Sequence, residues 1–290
     1  RLELSLITEI PGAAGYGLDE CLESGVLQSD GESVAFRHEL ARMAVEESLT
    51  ASRARALHTR LLRALEPRRE QVGLARLVHH AAKAGIGEVV LELAPMAARQ
   101  AASFAAHREA AMYYRAALRY AGSLPAAERA ALLEGRSYEC YLTDRLDDAI
   151  EARHQAYELW RQIGDVEKQG HSLRWLSRLS WFLGRGEEAG CFAREAVGVL
   201  ERVGEGSELA MAYSNLAQLH MLSGDVEATV HWGEKAIAIA ERLNDESTLA
   251  HALNNVGTAV LKYGSSEDGL DMLARSLEIS LRNRYEEHAA

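Results

Sequence analysis

With only 4 Pro and 3 Cys among 290 residues, and aromatics at 6%, the chain holds little that would interrupt helices or cross-link loops. Proline breaks helix interiors by removing a donor and crowding the preceding turn, so its scarcity, beside abundant alanine, admits long helices. Cys21, Cys140 and Cys191 are isolated and odd in number. That excludes a disulfide framework or a spaced zinc motif and predicts buried free thiols in a reducing compartment. No apolar run reaches the length of a membrane span, and Arg1 to Ile10 lack a signal peptide's charged-then-apolar order, so a cytoplasmic protein without membrane contact is expected. Lysine occurs only at 83, 168, 235 and 262, and the net charge of -11 argues against a broad nucleic-acid footprint. The phosphate-loop, H-E-x-x-H and G-x-S-x-G patterns are all missing, so no catalytic residue is assigned. Gly12, Gly15 and Gly17 do not fit a dinucleotide fingerprint and read as a loop. His79 and His80 are adjacent, which on a helix turns them about 100° apart. They therefore read as structural, and no metal ligand or cofactor is assigned.

What the chain does contain is a repeat. Gly184, Gly224 and Gly264 are spaced by 40, as are Ala156, Ala196, Ala236 and Ser276. Leu133, Leu173, Tyr213 and Leu253 share one position, and Ser137, Ser177, Ala217 and Gly257 form a row of small residues. Gly164, Gly204 and Asn244 mark a second break. Each unit thus reads as two helices meeting at a small-residue crossing, and such units must stack to bury their apolar faces. The pattern resembles the tetratricopeptide repeat with its second helix lengthened. The fold class read from it is all-α: a right-handed α-solenoid of tetratricopeptide-like helix pairs, with four repeats over residues 130–290. Between Leu74 and Leu124 the helices are less regular, but His107 to Ala110 lies 39 residues before Leu146 to Ala149. Residues 71–129 therefore read as helical hairpins with a degenerate first repeat. Its helix pair is expected to begin near Glu88, with a kink or late start at Pro95.

Residues 1–70 differ in character. Strand-like Gly25 to Gln28 and Ser33 to Phe36 flank an Asp30-Gly31 turn, a strong β-hairpin signal, and a helix carrying Leu40, Met43 and Ala44 follows. The order helix, hairpin, helix is similar to a winged-helix unit. The opening segment reads as mid-helix, and the first residue is Arg rather than Met, so the chain reads as a piece of a longer protein.

FRHELAR at Phe36 to Arg42, continuing through MAVEESL to Leu49 and Arg55 to His58, resembles the segment after the ATPase module in large ATP-binding regulators of the LuxR type, which are STAND-class signal-transduction ATPases. The resemblance extends through Leu77 to Ala81, Ala106 to Ala111, Arg174 to Trp181, Leu209 to Leu216 and His251 to Gly257. It implies an upstream ATPase using ATP and Mg, a winged-helix-like unit, a helical repeat arm and a downstream DNA-binding helix-turn-helix. Neither flanking activity maps onto a residue of this chain. Between Pro11 and Asp19 the chain is shorter than the family pattern, through a deletion or an omitted segment. Asp19, Glu20 and Glu23 near the hairpin would repel DNA, so no direct nucleic-acid contact is expected.

The repeat also assigns faces. In the third unit Tyr213, Leu216, Ala217 and His220 form the packing stripe, which leaves Ser214, Asn215, Gln218 and Met221 for the inner, concave surface. The richest part of that surface comes from the preceding unit, where His171, Arg174, Trp175, Arg178 and Trp181 follow i, i+3, i+4 and i+7 spacing. Guanidinium groups beside indoles suit carboxylates, phosphates, planar ligands or peptides. Glu134 and Tyr138 would extend the face on one side, and His251, Asn254, Asn255 and Lys262 on the other. By resemblance to peptide-binding tetratricopeptide proteins, Asn215 and Asn255 would bond a ligand backbone. The alternative is that the indoles fill gaps between units and that the arginines pair with a glutamate of the next helix. Two functions follow: a regulatory arm that binds an inducer or protein partner and signals to its own ATPase domain, or a scaffold that recruits a peptide or self-associates.

Overall fold

The computed structural model describes residues 2–4, 7, 17–263 and 266–285. Gly12, Gly15, residues 11–16 of the shortened segment, the Gly264 break and residues 286–290 of the tail lie outside the described residues. The chain forms two compact units, residues 1–123 and 124–290.

In the first unit β1 (Leu2–Glu3) pairs antiparallel with β3 (Ser33–Phe36), which pairs antiparallel with β2 (Leu27–Ser29). The Asp-Gly hairpin is present: Asp30 Oδ1 accepts from the Glu32 and Ser33 amides at 3.1 and 2.7 Å, and Gly31 takes φ 95. The opening residues are not helical at Leu2 and Glu3. They lie opposite Val34 and Ser33, and the Leu4 amide donates to Glu32 O at 2.9 Å. Leu2-Glu3-Leu4 alternates at period 2, and the free edge of β3 supplies the partner that turns this alternation into a strand.

Helices α1 (Leu18–Glu23), α2 (Glu39–Ser48), α3 (Ala51–Leu65), α4 (Arg69–Val72), α5 (Leu74–Ala84), α6 (Gly87–Ser103) and α7 (His107–Leu118) follow. Thr50 caps α3, its side chain accepting from the Arg53 amide. Helix α6 neither starts late nor stops at Pro95. Proline removes one ladder bond, but Val90, Leu93, Ala94, Ala97 and Ala98 are buried on both sides of it and hold the helix to its neighbours. The His79-His80 pair is not solitary: α3 packs on α5 and adds His58, so the divergence of adjacent side chains is bridged by a third ring between them.

The second unit is built of four helix pairs: α8 (Ala126–Tyr141) with α9 (Leu146–Ile163), α10 (Val166–Phe182) with α11 (Gly186–Leu200), α12 (Ser207–Ser223) with α13 (Val226–Leu243), and α14 (Glu246–Tyr263) with α15 (Ser266–Asn283). The 40-residue period is the period of left-handed turn residues. First helices end at Asp144, Gly184 and Gly224 with φ 58, 74 and 82, and second helices at Gly164, Gly204, Asn244 and Arg284 with φ 83, 106, 54 and 58. At Gly224 the amide bonds Met221 O and that of Asp225 bonds His220 O, the paired closure that satisfies helix-terminal carbonyls. Asp144 with Arg145 and Asn244 with Asp245 repeat it.

In the first unit Ala105 ends α6 with the same closure at φ 57. A Cβ there is strained by about 1 kcal/mol, which glycine would relieve. Ala105→Gly is therefore expected to stabilise the chain by up to about 1 kcal/mol in urea denaturation; a loss of stability would contradict the strain assignment.

Leu173, Leu176, Leu216, Leu253 and Val256 are buried in the second unit, and the small row brings paired helices close, with Ser137 Oγ donating to Ala149 O at 2.8 Å. Cys140 is buried as expected, but Cys21 is half-buried and Cys191 exposed. Cys191 stands one repeat from Glu151 and His231, both exposed on second helices, and that shared position decides its exposure over its apolar character. Among the described residues no helix is long and apolar enough to cross a membrane.

Candidate functional site

The face read as one binding surface divides into three parts. First helices of successive pairs pack side by side, α10 on α12 and α12 on α14, so the row between them is interior. Ser214, Asn215, His251 and Asn255 lie in that row and are buried, not presented to a ligand. Asn215 Nδ2 donates to Ser177 Oγ at 3.0 Å, Ser214 Oγ and His251 Nδ1 are 2.7 Å apart, and Asn255 Nδ2 donates to Ser214 O at 3.1 Å. Polar side chains in such a place must find partners, and here neighbouring repeats supply one another. The asparagines therefore tie repeat to repeat. Gln218 and Asn254 remain half-buried and Lys262 exposed. In the stripe assigned to packing, Tyr213, Leu216 and Ala217 are buried, and the Tyr213 hydroxyl, pushed up to about 12 by burial and by Glu201, donates to that carboxylate at 2.8 Å.

The second part is a charge network beneath Trp175. Arg153, on α9, is only 2% exposed, and its Nη1 stands 3.4 Å from Glu134 Oε1. Burial lowers the Arg153 pKa to about 10 and Glu134 opposes that fall, so the guanidinium stays charged at neutral pH. Glu134 also accepts from the Trp160 indole at 3.1 Å and faces His171 Nδ1 at 3.5 Å. Burial alone would raise the Glu134 pKa, but His171, Arg153 and Lys168 outweigh it and hold it below the ordinary value. His171 is shifted the other way, with burial pressing its pKa down against the pull of Glu134. Arg174 is largely buried, at ion-pair distance (3.9 Å) from Glu208 of α12. Of the two readings of Arg174, its geometry matches pairing with a glutamate of the next helix.

The third part is open. Trp175 meets Tyr138 and Tyr141 of α8 edge to face at 5.6 Å each. Arg153 and Arg174 approach its ring at 5.4 and 5.5 Å. The Arg178 guanidinium lies 5.5 Å from the Tyr141 ring and 5.7 Å from that of Phe182, and Arg178 Nη2 donates to the Tyr141 hydroxyl at 3.0 Å. Trp181 and Phe182 are exposed at 39% and 46%. A shallow cleft runs from Arg178, Trp181 and Phe182 onto Gln218 and Leu219 of α12. Sequence reasoning omitted Tyr141, Phe182, Leu219, Arg153 and Glu208. Tyr141 was within reach, because it lies 40 residues before Trp181 and shares its position.

A tetratricopeptide repeat family model matches residues 208–282, the last two helix pairs. The sequence matches no curated protein. Among solved structures, the chain resembles BtubC from P. vanneervenii at 21% identity and TM-score 0.57, covering 82% of this chain and 93% of that one. It resembles a signal transduction ATPase with numerous domains, bearing a tetratricopeptide repeat sensor, from Pyrococcus horikoshii at 13% identity and TM-score 0.57, covering 97% of this chain and 54% of that one. It also resembles a Rap protein complexed with competence and sporulation factor, at 13% identity and TM-score 0.59, covering 86% and 71% of the two chains. The helix pairs, their periodic closures and these likenesses define the fold as an α-solenoid of tetratricopeptide-like repeats, with a small β-hairpin near its N-terminus.

Proposed function

We propose that this chain is the partner-binding arm of a STAND-class, LuxR-type transcription regulator, and that a protein or peptide binds across Tyr141, Arg178, Trp181 and Phe182. The single observation that carries the binding reading is the exposed pair Trp181 and Phe182 beside Arg178 at the mouth of the cleft. Aromatics and arginine supply most of the energy where proteins meet, because they bury large area while keeping a polar handle. An apolar side chain entering the cleft and a carboxylate reaching Arg178 would suit the site. The regulator assignment is supported by the FRHELAR resemblance and by the shared fold of the STAND protein with a repeat sensor. Peptide capture is supported by the shared fold of the Rap protein seen with its factor. In the intact protein, occupancy would shift the equilibrium of an ATPase, which uses ATP and Mg, and so bias a DNA-binding domain. A small-molecule inducer would use the same cleft.

The test is a peptide library screened on the chain by fluorescence anisotropy. Arg178→Glu is expected to weaken the tightest binders at least about 30-fold, which is about 2 kcal/mol. The exposed substitution Arg161→Glu on α9 should leave them unchanged. Equal affinities for all three proteins would sink the assignment. A second reading, self-association, draws on Leu270, Leu277 and Leu281, which form an exposed apolar stripe on α15 at i, i+7 and i+11.

A further inference from the structure

In the first unit three histidines from two helices converge. His58 of α3 and His80 of α5 are half-buried, and His79 is exposed. Their rings lie 5.7, 5.2 and 5.2 Å apart between centroids, and one nitrogen of each ring is within 4.8 Å of one nitrogen of the other two. Nδ1 of His58 and Nδ1 of His80 are 2.9 Å apart. A shared proton accounts for that pair and gives His79 no role.

We infer that His58, His79 and His80 form a binding site for a zinc-class divalent ion, with three imidazole ligands and a fourth position open to solvent. Zn–N bonds of about 2.0–2.1 Å in a tetrahedral arrangement place ligand nitrogens about 3.3 Å apart. The observed separations bracket that value, so closure requires only side-chain rotation, chiefly of the exposed His79. Three imidazoles with one open position are the donor set that borderline metals such as zinc take, whereas calcium and magnesium require oxygen. The ligand form is neutral imidazole, and the surroundings favour it: burial, then the neighbouring rings, presses His80 down to about 4, and burial also lowers His58 and His79. The other charges that act on the cluster are Lys83 and Arg76, which oppose a cation, and Glu46, which favours one. An ion held there would clamp Ala51–Leu65 to Leu74–Ala84. Neither the isolated His58 nor the adjacent pair carries a metal signature in the sequence; the packing of α3 on α5 creates it.

The experiment is calorimetric titration of the metal-free chain with Zn2+, paired with the visible spectrum of the Co2+ complex. The expected result is one ion per chain, a tetrahedral Co2+ spectrum, and a Zn2+-dependent rise in Tm. His79→Gln and His58→Gln should each reduce affinity at least 10-fold. His79 is exposed, so His79→Gln keeps the fold, and circular dichroism of the metal-free variant checks this. Absence of Zn2+ binding, an octahedral spectrum, or full affinity in folded His79→Gln would each overturn the site.

Discussion

Glu134→Gln is expected to destabilise the chain by about 3 kcal/mol, although it removes no heavy-atom volume and keeps an oxygen for the Trp160 indole. The reason lies in Arg153. Its side chain is 2% exposed and still charged, and Glu134 is its carboxylate partner at 3.4 Å. A buried cation whose partner becomes neutral carries its desolvation cost uncompensated. Removing both charges should undo most of the damage, because hydrophobic replacement of a buried pair is often neutral or stabilising. The double variant Glu134→Gln with Arg153→Met is thus expected within about 1 kcal/mol of the parent, and urea denaturation of all four proteins gives the coupling directly. The carboxylate also imposes a pH dependence. Its folded-state pKa lies below the ordinary 4.5, so its contribution is present above that value and lost as pH falls through it to the folded value. Glu134→Gln should flatten that acid limb. Single variants that cost nothing would show that Glu134 does not neutralise Arg153.

Gly269→Ala is expected to lose about 2–3 kcal/mol, against the sign that helix propensity alone predicts. Replacing glycine inside a helix by alanine ordinarily gains about 1 kcal/mol. At Gly269 of α15, however, an added Cβ would lie 2.5 Å from Leu261 N and 2.7 Å from Leu261 Cα, both backbone atoms of α14. Backbone cannot rotate away, so the two helices must separate, and overpacking of this kind costs about 1–3 kcal/mol or more. Its partner position is equally tight: a Cβ at Gly257 would stand 3.0 Å from Gly269 O. Ala149, Ala189 and Thr229 hold the same place in the earlier pairs, so the last pair is the one that needs glycine. Gly198 is the matched control. It lies inside α11 with nothing within 4 Å of an added Cβ, and Gly198→Ala should gain about 1 kcal/mol. Chemical denaturation of the two variants gives opposite shifts in midpoint; shifts of the same sign would refute the close-approach argument.

The period made the solenoid legible because it records backbone conformation: where Gly184 and Gly224 recur, so does positive φ. Asp144 takes the same conformation without a glycine to announce it, and only its place in the repeat identifies it. The binding face was legible only in part. A repeat assigns residues to a row without saying how far the next helix covers that row. Ser214, Asn215, His251 and Asn255 looked available because they are polar, yet they satisfy one another and Ser177 across helices. Trp175 shares their position but is half-buried, and the equivalent residue of the preceding pair is Gly135. Arg153 escaped attention because it sits in a second helix, although Ala193, Gly233 and Leu273 at its position show that the place points inward. The histidine trio crosses two helices with no repeat between them, and nothing in the spacing of 58, 79 and 80 brings them together.

The most direct test of partner binding across the open face is hydroxyl-radical footprinting of the chain with and without its tightest library peptide. The proposed site predicts that Tyr141, Trp181 and Phe182 become protected while Trp160, Tyr213 and the second-helix residue Phe192 do not change. Protection confined to second helices, with Trp181 and Phe182 as reactive as before, would contradict it.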